Sequence, residues 1–595
     1  MVLTALDYII IAAYIILVLA VGLYFRKRAS KSLTDYFISG RSLPWWILGT
    51  SMVATTFAAD TPLAVTNLTA QGGLAQNWLW WNMAIGGMIT VFVYARLWRR
   101  SGVVTDVELI EKRYSGKPAS LLRGFRAIYL ALPVNCIIIG WVAGAMLTIL
   151  NNTVLHGTGY EGRLDWWIIV ALLVIAGTYT TLSGLWGVAT TDVLQFCIAM
   201  GACIVLAVIA VGDAGGIVAM RESVDEAMGP GGFRFFPDFA NGNVAQLGLN
   251  LFLIYIFVQW WASWYPGAEP GGGGYVVQRM ASAKDERHAL LGTLWFQVAH
   301  YCVRPWPWLL VAFAAIAKYP ELMDETNRGV GFAWIMRDLL PPGLIGLLLI
   351  AFFAAFMSTL ASQTTWGASL LVNDVYKRFI NPEADGRKLA NAGRVATLIM
   401  LTAGGLTAYA MRHIAVDEAW RILLALGAGT GAVFMLRWFW WRINAWSEIT
   451  AMVSAGVYYV LFTIYARVTG WELVEEYKLF YVAILTTLSW ITVTFLTQPE
   501  RQEVLESFLR TVRPGGPGWR TVATKAGIEP GESRLGLSLT CAALGIALVY
   551  LTLPGVGFVI FGEWVKALAC LGGAAACAAA IALLLNRMGW EKILR

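Results

Sequence analysis

Charge is scarce in this chain. Of 595 residues, 14% are charged and 58% hydrophobic, whereas soluble domains carry about 25% charged residues. A soluble protein of this length divides into several domains with polar surfaces, and too little charge is present to cover them. The seven cysteines, Cys136, Cys197, Cys203, Cys302, Cys541, Cys570 and Cys577, all lie in apolar blocks with no Cys-x-x-Cys pair. They read as free core thiols rather than a disulfide framework or zinc site. The start of the chain lacks a basic region and a small-residue cleavage site, so the first apolar block is expected to be a retained span. No segment has the make-up of a kinase, nucleotide-binding or other soluble domain, and no enzymatic activity is expected.

What is abundant is apolar length. About 20 apolar residues cross a bilayer, and such blocks recur throughout. Hydropathy predicts an all-α polytopic membrane protein with about fifteen spans, near 7–25, 45–69, 75–97, 122–150, 165–183, 188–211, 246–265, 288–317, 341–376, 391–410, 417–436, 446–466, 476–496, 535–553 and 557–585. The formal charge is +7, but the basic residues sit in alternate loops rather than in one nucleic-acid-binding patch. The first loop holds Arg26, Lys27, Arg28 and Lys31. The third, with its span edges, holds Arg96, Arg99, Arg100, Lys112, Arg113, Lys117 and Arg123. Arg279, Lys284 and Arg287 fall in the loop 266–288, and Lys377, Arg378, Arg387 and Lys388 in 377–390. Arg501, Arg510, Arg513, Arg520 and Lys525 fall in 497–534, and Arg587, Lys592 and Arg595 in the tail. Intervening loops are short, neutral or acidic, as with Glu472, Glu475 and Glu476. Positive charge is retained on the cytoplasmic side, which predicts a multi-pass cytoplasmic (inner) membrane protein with its N-terminus outside and C-terminus inside. Many of the 28 tryptophans flank spans, as Trp45-Trp46 and Trp166-Trp167 do, and read as interfacial anchors. The polar stretch 498–533, with Pro514-Gly515-Gly516-Pro517, reads as a cytoplasmic linker.

Ionisable and polar residues inside spans are functional candidates by default. Four places stand out. In the second span, Gly49 to Pro62 combine small residues, Asp60 and a proline that cannot donate to the carbonyl four residues back. This is either a broken helix lining a polar cavity or a proline kink with Asp60 paired to a neighbour. In the ninth span, Ala355, Ser358, Thr359 and Ser362 share one helix face. Their hydroxyls suit the hard oxygen coordination of an alkali cation, or a small-residue packing face. In the sixth, Asp192 with Gln195 is an ion or proton relay or a structural acceptor. In the eighth, His300 and Arg304 precede Pro305-Trp306-Pro307; they line a solute path, or Arg304 pairs with a distant carboxylate. The seventh span, like the second, is interrupted by Pro and Gly, through Trp260 to Gly267. Each opens a run of five spans, 2–6 and 7–11. An odd number per unit makes the two units opposite in orientation, the pattern of secondary transporters with a midplane site.

Several stretches resemble the sodium:solute symporter family. They are Asp35 to Trp46, Thr105 to Tyr114, Tyr179 to Val188 followed by Thr191-Asp192 and Gln195, Tyr275 to Arg279, and Met357 to Ser362. They lie in the family's order across about residues 7–466. The resemblance implies a five-plus-five inverted-repeat core of the kind found in the bacterial leucine transporter. It also implies a sodium site made by the backbone carbonyls of Ala54, Phe57 and Ala355 and the hydroxyls of Ser358 and Thr359. In some members a second sodium lies near the equivalents of Asp192, Ser358, Ala361 and Ser362; here Ala361 replaces a hydroxyl. The sugar-binding set is not retained. Asp60-Thr61 stands where sugar carriers have a Glu-Gln pair, Trp80 or Trp81 where they have glutamate, and His300 where they have lysine.

The expected function is sodium-coupled symport of a small organic solute by alternating access. Asp60, Thr61, Trp80, Asn82, Trp261 and His300 are the candidate solute residues, and Asp192 and Ser362 belong either to a second sodium or to coupling. A solute sensor on a transporter core and a proton-coupled carrier using Asp60 or Asp192 are the alternatives. Na+, the solute and the lipid bilayer are the expected partners, with no nucleic acid and no obligate protein partner. The expected organisation is an extra span in 1–30, the transport core in 31–440 (spans 2–6 and 7–11), two accessory spans in 441–497, the linker 498–533, and two further spans with a basic tail in 534–595.

Overall fold

The computed structural model describes residues 3–29, 33–237, 247–263, 271–324, 328–414, 416–471, 473–528 and 534–587. Among these the chain is helical, with no strand and one isolated bridge between Leu43 and Ala283. The principal helices are α1 (Ala5–Ala29), α2 (Trp45–Thr56), α3 (Asp60–Gly72), α4 (Leu74–Ser101), α5 (Gly116–Asn152), α6 (Asp165–Thr181), α7 (Gly184–Asp213), α8 (Leu249–Ala262) and α9 (Gly274–Ser282). They continue with α10 (286–318), α11 (Leu344–Ile380), α12 (Gly386–Met411), α13 (Val416–Leu426), α14 (Thr430–Leu436), α15 (Ala445–Thr469), α16 (Glu475–Leu496), α17 (Gln502–Val512), α18 (Leu535–Ile560) and α19 (Trp564–Arg587).

Ten described helices are long and apolar enough to cross a bilayer. The number is eleven if Glu418–Ala425 and Thr430–Leu436, bent by 57°, form one span. The expected count of fifteen is therefore not established. Among the described residues the second expected span is divided into Trp45–Thr56 and Asp60–Gly72, and Asp165–Thr181 and Leu249–Ala262 are shorter apolar helices. Part of the second expected interruption, Trp264, Tyr265, Pro266, Gly267, Glu269 and Pro270, lies outside the described residues, as do Lys31, Glu472, Lys592 and Arg595.

The break in the second expected span comes before the proline, not at it. Helix α2 ends where Phe57 leaves helical geometry, its N–H going to the carbonyls of Val53 and Ala54. Helix α3 restarts at Asp60, which puts Pro62 in its first turn, where a missing N–H leaves no hydrogen bond unmade. The start of α2 is fixed from α9: Leu43 donates to the Ser282 carbonyl and accepts from Lys284 N–H. Its flank packs on α10 backbone to backbone. A Cβ at Gly49 would sit 2.4 Å from the Gly292 oxygen and 2.8 Å from Trp295 Cδ1. Gly49→Val is expected to destabilise by about 3 kcal/mol, the upper end for overpacking, because backbone cannot yield as a side chain can. Thermal unfolding of purified protein in detergent measures this.

Helix α1 and the segments after residue 440 are attached through buried contacts. On α1, Asp7 accepts from the N–H groups of Gly343 and Gly346, capping α11, and Tyr14 accepts from Gln195 of α7. Three arginines placed in loops by sequence are buried instead. Arg113 donates to the carbonyls of Arg437, Trp440 and Trp441, and Arg123 pairs with Glu111 and Asp374. Arg279 lies inside α9, fully enclosed. The segment read as a linker folds as well. Leu505, Phe508, Leu509 and Val512 bury one face of α17; Trp519 donates to the Trp438 carbonyl, and Glu500 accepts from both the N–H and hydroxyl of Ser115. Helix α18 then packs across α4 and α10. Gly545 meets Met88 and Phe92, Gly557 meets the Trp306 ring, and the Tyr550 hydroxyl donates to the Trp81 carbonyl.

Candidate functional site

Two polar clusters flank the break between α2 and α3. The first joins α2, α7, α9 and α11. The hydroxyl face of α11 points at the frayed end of α2: Thr359 donates to the Thr55 carbonyl at 2.8 Å and to the Ala355 carbonyl at 3.2 Å. Thr55 and Ser362 hydroxyls are 2.8 Å apart. The chain leaves helical geometry at Gly184 (φ 55°), and Asp192 follows on α7. Its carboxylate accepts from Ser358 at 2.7 Å and from Ser51. The Arg279 guanidinium lies 3.6 Å from Asp192 and donates to Ser362 and Ser51. Asp192, Ser358, Thr359, Ser362, Ala54, Phe57 and Ala355 are all buried. The Thr359 and Ser362 hydroxyls of α11 thus meet Thr55 near the end of α2, while the Ser358 hydroxyl turns to Asp192 of α7. A hydroxyl that donates its proton to a carbonyl keeps its lone pairs for a cation, so the donor set suits an alkali ion.

The second cluster lies on the other side of the break. Pro305 has no N–H, and α10 absorbs it with a wide turn over Ala299–Val303, a device common at functional sites. Arg304 N–H reaches back to the Ala299 carbonyl, five residues earlier, at 3.0 Å. His300 and Arg304 then face the end of α2 together. Arg304 donates to Thr56 at 2.8 Å and meets His300 Nε2 at 3.0 Å, while His300 Nδ1 is 3.0 Å from the Thr56 hydroxyl. Since that hydroxyl donates to the Val53 carbonyl at 2.9 Å, Nδ1 carries the proton and Nε2 accepts from Arg304. His300 is therefore held neutral.

These residues border a cavity of about 100 Å³. Asp60, Thr61, Trp80 and His300, singled out from sequence, line it together. Asn82 and Trp261 do not: the Asn82 amide N–H₂ goes to the carbonyls of Trp78 and Leu79, and Trp261 donates to the Phe257 carbonyl. Thr55, Thr56, Trp141, Tyr275, Tyr301, Gln363 and Trp420 also line it and are not among the sequence candidates for the solute; Arg304 and Thr359 line it too. For Tyr275 the signal was its place in a motif shared with the resembled family.

Comparison with known proteins follows the same lines. A sequence model of the sodium:solute symporter family matches residues 36–455. The sodium/glucose cotransporter of Vibrio parahaemolyticus is 28% identical over 479 residues, covering 76% of this chain and 84% of that protein. Sodium/glucose cotransporter 1 of Oryctolagus cuniculus is 26% identical over 482 residues, covering 74% and 69%. Among solved structures, the substrate-bound outward-open state of a Na+-coupled sialic acid symporter is similar in fold. Its TM-score is 0.65 at 20% identity, with 84% of this chain and 99% of that one covered.

Proposed function

Because the chain belongs to the sodium:solute symporter family, and so carries a solute across a membrane together with sodium, we propose how its residues divide that work. The carbonyls of Ala54, Phe57 and Ala355 and the hydroxyls of Ser358 and Thr359 hold the sodium ion. The supporting observation is Thr359, whose hydroxyl meets the Thr55 carbonyl at 2.8 Å and so places α11 oxygens at the open end of α2. Sodium bound there ties α2 to α11 and favours the outward-open arrangement, which preorganises the solute cavity; this is coupling by differential affinity. A membrane potential drives the ion inward with about 2.3 kcal/mol per charge per 100 mV.

Asp192 and Ser362 serve coupling rather than a second ion. The Arg279 guanidinium already balances Asp192, and a further cation there would leave unbalanced positive charge at membrane depth. One sodium per transport cycle is the expected stoichiometry. Asp60, Thr61, Trp80 and His300 contact the solute. Residues 31–440 form the transport core, with 1–30, 441–497 and 534–595 as accessory spans and 498–533 as a cytoplasmic cap. The protein lies in the cytoplasmic membrane with its N-terminus outside and its C-terminus inside, and needs no obligate protein partner.

Uptake into proteoliposomes tests the reading. Solute accumulation is expected only with an inward sodium gradient, with a Hill coefficient for sodium near one. Accumulation driven by a pH gradient without sodium would instead establish proton coupling. Sodium and solute binding without any accumulation would support the sensor.

A further inference from the structure

The cavity on the α10 side of the break has an unusual wall for a sugar site. It carries one carboxylate, Asp60, and one guanidinium, Arg304, which are 3% and 1% exposed. His300 adds no charge, because its Nε2 accepts from Arg304. Three acceptor or hydroxyl oxygens on this wall are buried without a hydrogen-bond partner among the described residues: Asp60 Oδ1, Gln363 Oε1 and the Tyr275 hydroxyl. Buried polar atoms are rarely left so, and a cargo entering this cavity would supply the missing partners.

We propose that the solute is a small zwitterion, with its cationic nitrogen on Asp60 and its carboxylate on Arg304. The proposal rests on the symport reading and names the solute class for the same site. Charge balance is the first argument. With Asp60 and Arg304 both ionised the wall is neutral, so a cargo with equal and opposite charges adds no net charge at membrane depth. A simple amine or carboxylate would add one. The second is donor matching. Asp60 Oδ1 and Gln363 Oε1 accept only, and an ammonium group donates only. The third is preorganisation. Thr56 and His300 grip one edge of the Arg304 guanidinium, and the Trp308 ring lies 5.0 Å from its centre. A planar fork held this way matches a carboxylate. Trp80, Trp141, Tyr301 and Trp420 also line the wall, and aromatic rings are the residues that attract a cationic nitrogen. The cavity volume of about 100 Å³ limits the enclosed cargo to a small molecule.

The test is equilibrium binding to the purified full chain, read by tryptophan fluorescence and thermal shift, in sodium and in potassium. The probes are matched sets: β-alanine, propylamine, propionate and propanol; γ-aminobutyrate, butylamine, butyrate and butanol; proline, pyrrolidine, cyclopentanecarboxylate and cyclopentanol; with glycine betaine and glucose added. In sodium, at least one zwitterion is expected to bind about 100-fold or more tightly than its single-charge and uncharged counterparts, since each lost partner is a charged hydrogen bond. Asp60→Asn and Arg304→Gln should each erase that preference. Their own stabilisation by sodium should persist, which shows that the variants fold. Tighter binding of an amine, a carboxylate, an alcohol or glucose than of every zwitterion overturns the proposal, and so does silence of the whole panel. If sodium alone still stabilises the protein in that case, the symport reading survives. Zwitterion binding that is equal in sodium and potassium keeps the solute class and defeats the sodium assignment.

Discussion

Ser358→Ala combined with Thr359→Ala is expected to weaken sodium activation of uptake by at least about 100-fold while leaving the protein folded. Both side chains are buried, and both reach the end of α2 or its partner Asp192 through their hydroxyls. Alanine fills nearly the same space, so packing on α11 changes little. What is lost is two of five proposed oxygen ligands. A contact to a charged partner is worth about 1.5–3 kcal/mol. Two such losses amount to about 3 kcal/mol or more, which exceeds a hundredfold change in affinity. Removing the threonine hydroxyl also unties α11 from the Thr55 carbonyl, so the double variant should lose thermal stabilisation by sodium as well as sodium-driven uptake. Uptake that keeps its full sodium dependence would place the ion elsewhere.

The second large effect concerns Asp192. It and Arg279 are both fully enclosed, and the carboxylate also holds the Ser51 and Ser358 hydroxyls. Asp192→Asn leaves a guanidinium buried without its counter-charge, which costs about 3–5 kcal/mol. The variant is expected to unfold at markedly lower temperature in detergent. Asp192→Asn with Arg279→Gln removes both charges together and should recover much of that loss, giving a coupling energy above about 1 kcal/mol in a double-mutant cycle. If the two losses simply add, Arg279 is not the partner that neutralises Asp192. The recovered double variant should still fail to couple sodium to solute, because it no longer ties α7 to both α2 and α11 through an ionic acceptor.

Arg304 stands out in the sequence and Arg279 does not. The hydroxyl face of α11 and the candidate His300–Arg304 pair are local patterns that the structure also shows, whereas the break expected at Pro62 falls at residues 57–59. Periodicity reports which side chains share a face. It does not report which face of another helix they meet. Arg279 was counted with Lys284 and Arg287 because it stands five residues from one and eight from the other, in a stretch whose composition is that of a basic loop. Only the packing of α9 against α2 and α11 buries it beside Asp192. Gln363, Tyr275, Trp141 and Trp420 reach the cavity from four further helices, a convergence set by tertiary packing. The helix α17 was legible and overlooked. Leu505, Phe508, Leu509 and Val512 follow helical spacing within the polar stretch, directly before the glycine and proline of 514–517.

Helix α18 also bears on biogenesis. It lies against Met88 and Phe92 of α4 and Trp306 of α10, and reaches the Trp81 carbonyl. A ribosome makes α18 only after every one of those residues has already entered the bilayer. Until α18 is made, the faces of α4 and α10 that it covers lack that partner. One late helix thus braces α4 against α10.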